Sequence, residues 1–235
     1  VDSDAWRKVW DVCIFLGSFA PALLLGVAFG NIFKGIPFDG EGIYQGNLLT
    51  LLNPYGILGG LLFVGLFLVH GCLWLAIKTE GDLHDRAVGL ANKLWPVEVA
   101  VAVIFLIATA IYTSLYSNYL AQPALMLVIL GAVAALFAIK YFLRQEAYFK
   151  AWFASAGTIV LCTFFGVIGL FPNLFPSSID AEYSLSAFNA SSSPLTLKIM
   201  LIVVIIFVPI VLAYQIWAYH LFKFKLKAED LEEAY

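Results

Sequence analysis

Between Trp10 and Phe33 the chain carries a single charge, Asp11, in a run long enough to cross the hydrocarbon of a bilayer. A spanning helix needs about 20 mostly apolar residues to cover roughly 30 Å, so residues 10-33 read as a membrane helix. The run is too long for a secretory signal and has no small-residue cleavage pattern behind it. Ser18, Ala22, Gly26 and Gly30 recur at four-residue spacing, which places them on one face and lets a second backbone come close. Gly26 and Gly30 are therefore the candidate packing residues. Asp11 is read as structural: a carboxylate at a helix start, with Arg7 and Lys8 a turn away, is favoured by the helix dipole and by i,i+3 or i,i+4 pairing.

The rest of the chain is of the same kind. It is 62% hydrophobic and 12% charged, whereas soluble domains run at about 45–50% apolar and about 25% charged. The expected fold is an all-α integral membrane protein, a polytopic bundle of about six transmembrane helices in a single domain, 1-235. Spans are expected over 10-33, 56-77, 97-116, 123-139, 151-171 and 199-222, with Pro209 kinking the last. Ala87 to Pro96 reads as an interfacial helical start before the third span, and 223-235 as a charged, solvated tail. Gly56 and Gly60 sit at packing spacing on the second span. A net charge of -3 provides no basic surface for nucleic acid. Cys13, Cys72 and Cys162 each lie inside an apolar run, with no disulfide or metal spacing.

Sorting the 13 basic residues by alternate ends of these spans gives a lopsided result. Arg7, Lys8, Lys78, Arg86, Lys93, Lys140, Arg144, Lys150, Lys223, Lys225 and Lys227 fall on one side, Lys34 and Lys198 on the other. The positive-inside rule then makes the N-terminus, the loops near Thr79 and Arg144, and the tail cytoplasmic. Loops 34-47 and 172-198 face outward.

A haem-bearing chain would need His, Met or Cys ligands within the membrane, and there are three histidines. His70 precedes Lys78 by eight residues, about 12 Å of helix; His220 is close to Lys223, and His84 lies in a loop. These depths do not match, and Met126 and Met200 offer no paired histidine, so no haem ligation is expected from this chain. An ionisable group in a span tends to face protein or water. His70 is read chiefly as a neutral histidine satisfied by a neighbouring polar group; the alternative is a proton-related contact with Glu98 on the next span. Thr109, Thr158 and Thr163 are the main further candidates for midplane polar groups. Serine nucleophile arrangements, phosphate-binding glycine loops and carboxylates clustered for a metal are not found in the sequence, Glu229, Asp230, Glu232 and Glu233 reading as a solvated helix face.

The spelling is more specific than the hydropathy. Gly17-Ser18-Phe19, Gly26-Val27-Ala28-Phe29-Gly30-Asn31 and Gly35-Ile36-Pro37-Phe38 are followed by Leu52-Asn53-Pro54-Tyr55 and Lys78-Thr79-Glu80-Gly81. Then come Phe171-Pro172, Pro176-Ser177-Ser178 and Leu195-Thr196-Leu197. In this order they resemble subunit II of the cytochrome bd quinol oxidases, over essentially the whole chain. The resemblance implies a structurally supporting membrane subunit, without catalytic residues of its own, beside a haem-bearing subunit I that holds haems b and d and the quinol site. Together the two subunits oxidise quinol, reduce dioxygen to water and take protons from the cytoplasm. It further implies a bacterial or archaeal plasma membrane, small accessory subunits and lipid as neighbours, and room for a bound quinone. Family chains begin with further membrane helices, so this is expected to be the C-terminal part of a longer subunit. The competing reading is a multi-span permease or secondary transporter, disfavoured by the lack of an internal repeat and the sparse midplane polar groups.

Overall fold

The structure is a computed structural model, and it describes residues 3–225. Among the described residues, six helices are long and apolar enough to cross a membrane. In chain order they are α1 (Asp4–Lys34), α3 (Pro54–Lys78), α4 (Asp82–Tyr112), α6 (Met126–Arg144, entered through a 3-10 turn at Pro123–Leu125), α7 (Tyr148–Leu170) and α8 (Pro194–Leu221). Two short helices, α2 (Leu48–Leu51) and α5 (Tyr116–Ala121), and one hairpin of β1 (Asn173–Phe175) with β2 (Leu185–Ser186) occupy the connections.

Local chemistry accounts for the helix starts. Asn53 accepts from the Gly56 amide and Pro54 follows at the first helical position of α3, where a missing N–H costs nothing. Ser193 and Pro194 repeat the device for α8. α4 starts from Gly81 at φ 69, a left-handed conformation open to glycine, with Asp82 and Asp85 in the first turn where the dipole favours them.

Several boundaries differ from those the sequence suggests. α4 is continuous from Asp82, so Ala87 to Pro96 is helical and runs on into the span, and the helix ends at Tyr112, leaving Tyr116 on α5. Pro96 is accommodated inside α4, as Pro21 is in α1 and Pro209 in α8. The basic stretch after Ile139 is helix: α6 runs on to Arg144 and α7 starts at Tyr148. α1 starts at Asp4, which puts Asp11 two turns inside the helix and exposed. The dipole argument for Asp11 therefore does not apply, because the effect fades within the first turn. Of the tail, 226-235 lies outside the described residues.

α3 is the central element, packed against α1, α4 and α7, while α6 packs on α7. Two apolar clusters make the core. One joins Val69, Leu73, Ala91, Ile139 and Ala151; the other joins Tyr55, Leu66, Phe105, Tyr119 and Phe165. Tyr119 on α5 donates to the Phe165 carbonyl at 2.8 Å, which docks that connection onto α7. α8 stands apart, with none of its residues buried. Its described ties are at one end, where Tyr219 packs edge-on against Trp74 at 5.5 Å and Lys78 Nζ donates to the Phe222 carbonyl at 2.6 Å.

The connections at each end find one another. Ile36 N donates to Pro176 O at 2.9 Å, Ser178 N to Ile36 O at 3.1 Å, and Ser177 Oγ to Phe38 O at 2.7 Å. Loops 35-47 and 172-193 thus share one end. At the opposite end Glu80 pairs with Lys225 at 3.8 Å and His84 stacks edge-on against Tyr148 at 5.0 Å.

Candidate functional site

The close approach of α1 to α3 begins with glycines on both helices. A Cβ built on Gly26 would lie 2.7 Å from Gly60 Cα, and one on Gly30 would lie 3.0 Å from Gly56 Cα. In return a Cβ on Gly59 would lie 2.7 Å from the Gly26 carbonyl. Ser18 is exposed and Ala22 half-buried, so the four-residue stripe meets α3 only along its second half. Just beyond it, Asn31 is 6% exposed; its Nδ2 donates to Leu51 O at 2.7 Å and its Oδ1 accepts from Asn53 at 2.8 Å. Asn31 ties the end of α1 to the turn before α3. Sequence reasoning missed it, although an amide at the end of an apolar run ahead of an Asn-Pro start was the available signal.

Between α1, α3, α4, α6 and α7 lies an apolar cavity of about 310 Å³. Phe29, Phe33, Phe63 and Phe67 form part of its wall. Glu98 enters this wall from α4, two residues after Pro96, and is only 2% exposed. Its Oε2 has no hydrogen-bond partner. Gly65 on α3 lies beside it: a Cβ built there would lie 3.8 Å from the Glu98 Cβ and Cγ, an ordinary contact. Thr158 and Cys162 on α7 line the same cavity. One to two turns nearer the basic end, Trp95 Nε1 donates to Leu136 O at 2.8 Å and Lys140 Nζ to Asn92 Oδ1 at 2.7 Å, bracing α4 against α6.

His70 does not meet Glu98. Its Nδ1 is 3.2 Å from Ser155 Oγ, and its ring packs at 5.0 Å against Trp152. The physical reason is register: Glu98 lies beside Gly65, and five residues of helix carry His70 about 7.5 Å further along α3. Ser155 was not identified from the sequence, because a lone serine in an apolar run carries no periodic signal. His84 Nδ1 donates to Ala76 O at 2.8 Å, and His220 is exposed on the last turn of α8. Outside the spans, Asp39 organises the loop after α1. The Ile43 amide above all, then the Glu41 amide and the Gln45 side chain, hold its carboxyl below the usual carboxylate range.

Compared with known proteins, the chain matches the family described as cytochrome bd terminal oxidase subunit II over residues 1–222. It belongs to that family. It is 33% identical to the cytochrome bd-I ubiquinol oxidase subunit 2 of Escherichia coli K12 over 263 residues, covering 99% of this chain and 69% of the relative. The cytochrome bd ubiquinol oxidase subunit 2 of Bacillus subtilis is 30% identical over 230 residues, covering 98% and 68%. The probable cytochrome oxidase subunit 2 of Haemophilus influenzae is 32% identical over 249 residues, covering 93% and 66%. This chain is thus a multi-pass membrane subunit of a terminal oxidase, a quinol:oxygen oxidoreductase complex, and not a permease. Its family implies a subunit I partner and haems within the complex.

Of the His, Met and Cys side chains that can ligate haem iron, the cavity wall contains Cys162 alone, and no group of three or more His, Cys, Asp or Glu side chains comes together among the described residues. The three histidines lie apart, two with Nδ1 engaged by Ser155 and Ala76.

Proposed function

We propose that this chain is the non-haem-ligating subunit of the oxidase, holding in place a subunit I that carries haems b and d and the quinol site. The observation that carries this reading is the family match over residues 1–222, joined to a histidine set with no two ligands facing one space. The complex oxidises quinol to quinone and passes the electrons to dioxygen, which leaves as water. This chain contributes packing surface rather than a reacting group. The Gly26 and Gly30 seam fixes α1 on α3, and α8, apolar around its circumference and unburied here, is the helix most open to subunit I, lipid or a small accessory subunit. A quinone or lipid tail fits the phenylalanine-lined cavity by its apolar character alone.

The orientation we propose places the Lys78, Arg144 and Lys223 end in the cytoplasm of a bacterial or archaeal cell, since basic residues collect there. The test of the central reading is haem content. Purified complex carrying His70→Ala or His220→Ala keeps every haem absorbance band. Loss of one band from a well-assembled variant would make this chain a ligand donor and overturn the proposal.

A further inference from the structure

Polar side chains on three helices, half-buried at His70 and buried further in, lie in sequence between the basic end of the bundle and the cavity. His70 on α3 meets Ser155 on α7 at 3.2 Å, and Ser155 is 1% exposed. Thr158, 2% exposed, follows one turn later on α7 and lines the cavity with Glu98. Depth along the helices brings the last two level. Thr158 is ten residues from the start of α7 at Tyr148, about 15 Å of helical rise. Asn92, bound to Lys140 four residues before the end of α6, is six residues short of Glu98; those ten residues again make about 15 Å.

We infer that His70, Ser155, Thr158 and Glu98 form a buried file along which a proton passes between the basic end of the bundle and the cavity, with Glu98 as the inner group that holds it. Three features support this assignment. Glu98 Oε2 is buried without a partner, whereas buried polar groups in folded proteins are otherwise satisfied. A cavity of about 310 Å³ has room for several waters, each needing roughly 10–15 Å³ of such space, and the Glu98 carboxyl and Thr158 hydroxyl in its wall supply polar partners for them. The Thr158 hydroxyl donates to Ala154 O at 3.0 Å, which leaves its lone pairs free to accept from such a water. Among the described groups facing the cavity only Glu98 and Cys162 titrate; α1, α3 and α6 contribute apolar side chains, so no cation there balances a carboxylate.

The step involves no electron transfer. A proton from bulk water enters through His70 and Ser155, converts the Glu98 carboxylate to the acid, and is returned to water when it leaves. The inference rests on the oxidase reading only for the use made of the proton; the path is a property of this bundle.

Infrared spectroscopy of the whole purified complex tests it. A carboxylic C=O band absent from Glu98→Gln identifies the residue, and on transfer to heavy water that band shifts as its proton exchanges. Thr158→Val and Ser155→Ala, which keep the carboxyl, should each slow the shift by about tenfold or more, as expected for a lost relay hydrogen bond. Should Glu98→Gln fail to assemble, slowing of the one exchanging carboxyl band that both hydroxyl variants share supports the file equally. Equal exchange rates in wild type, Thr158→Val and Ser155→Ala would overturn it, as would the absence of any exchanging carboxylic band. Haem spectra and oxygen uptake of the same samples report on the oxidase reading separately.

Discussion

Replacing Gly26 by alanine puts one methyl group into the tightest contact between α1 and α3. That carbon would lie 2.7 Å from Gly60 Cα, where ordinary contact is 3.4–4 Å, and Gly60 belongs to a backbone that has no flexible end to swing aside. α1 must therefore retreat by about 1 Å. At that displacement the 2.7 Å bond from Asn31 to the Leu51 carbonyl lengthens to about 3.7 Å, beyond hydrogen-bonding range. Overpacking of this kind costs about 1–3 kcal/mol, and the lost hydrogen bond costs about 0.5–1.5 kcal/mol more, Asn31 Nδ2 keeping its bond to Val27 O at 2.8 Å. Alanine returns about 1 kcal/mol through its better helix propensity. The net loss is about 0.5–3.5 kcal/mol. Gly17→Ala and Gly71→Ala are internal controls, since a Cβ at either position meets nothing within 4 Å. Thermal denaturation of the detergent-solubilised complex, followed by haem loss, should rank Gly26→Ala well below both controls, and Gly26→Leu with Gly30→Leu should prevent assembly. Indistinguishable midpoints for Gly26→Ala and Gly17→Ala would refute the backbone-contact argument.

Other consequences are simpler to state. Trp95→Phe removes the indole donor to Leu136 O and should lower stability by about 1 kcal/mol, read as an earlier unfolding midpoint with the visible spectrum unchanged. Asn31→Leu strips two partners from the turn before α3; it should destabilise by about 1–3 kcal/mol and increase proteolysis of loop 35-47. Asp39 has a carboxyl depressed below its ordinary value by the Ile43 amide first. The support it lends the loop is thus complete above the unfolded pKa of about 3.9 and lost as pH falls through the lower folded value. Protease sensitivity of that loop should stay flat down to about pH 4 and rise only in stronger acid; a rise near pH 6 would contradict this. A cysteine at Gln145 should react with a membrane-impermeant probe only from the cytoplasm, and one at Gly42 only from outside, if the basic end faces inward.

What the sequence by itself determined was the number and rough extent of the spans. Hydrocarbon thickness demands about 20 apolar residues from any crossing helix, and the runs around Cys13, Leu66, Phe105, Val133, Thr158 and Val204 meet that demand wherever they end up. Ends were less legible, because a membrane helix continues past the hydrocarbon for as long as its backbone stays bonded: α4 begins at Asp82 and α6 continues to Arg144. Basic residues sorted cleanly between the two ends, since alternation follows from span count alone. Which faces meet was decided only in three dimensions. Helices apolar around their whole circumference show no amphipathic stripe to read, so Ser155 could not be told from its neighbours, and the offset of about 7.5 Å that separates His70 from Glu98 is set by how α3 and α4 slide against each other. Glycine spacing marked Gly26 and Gly30 as places where a backbone could approach. That Gly56, Gly59 and Gly60 of α3 are the backbone that does so, and that Glu98 ends unpartnered in a cavity, are outcomes of packing, in which the shape of one helix surface selects the register of the next.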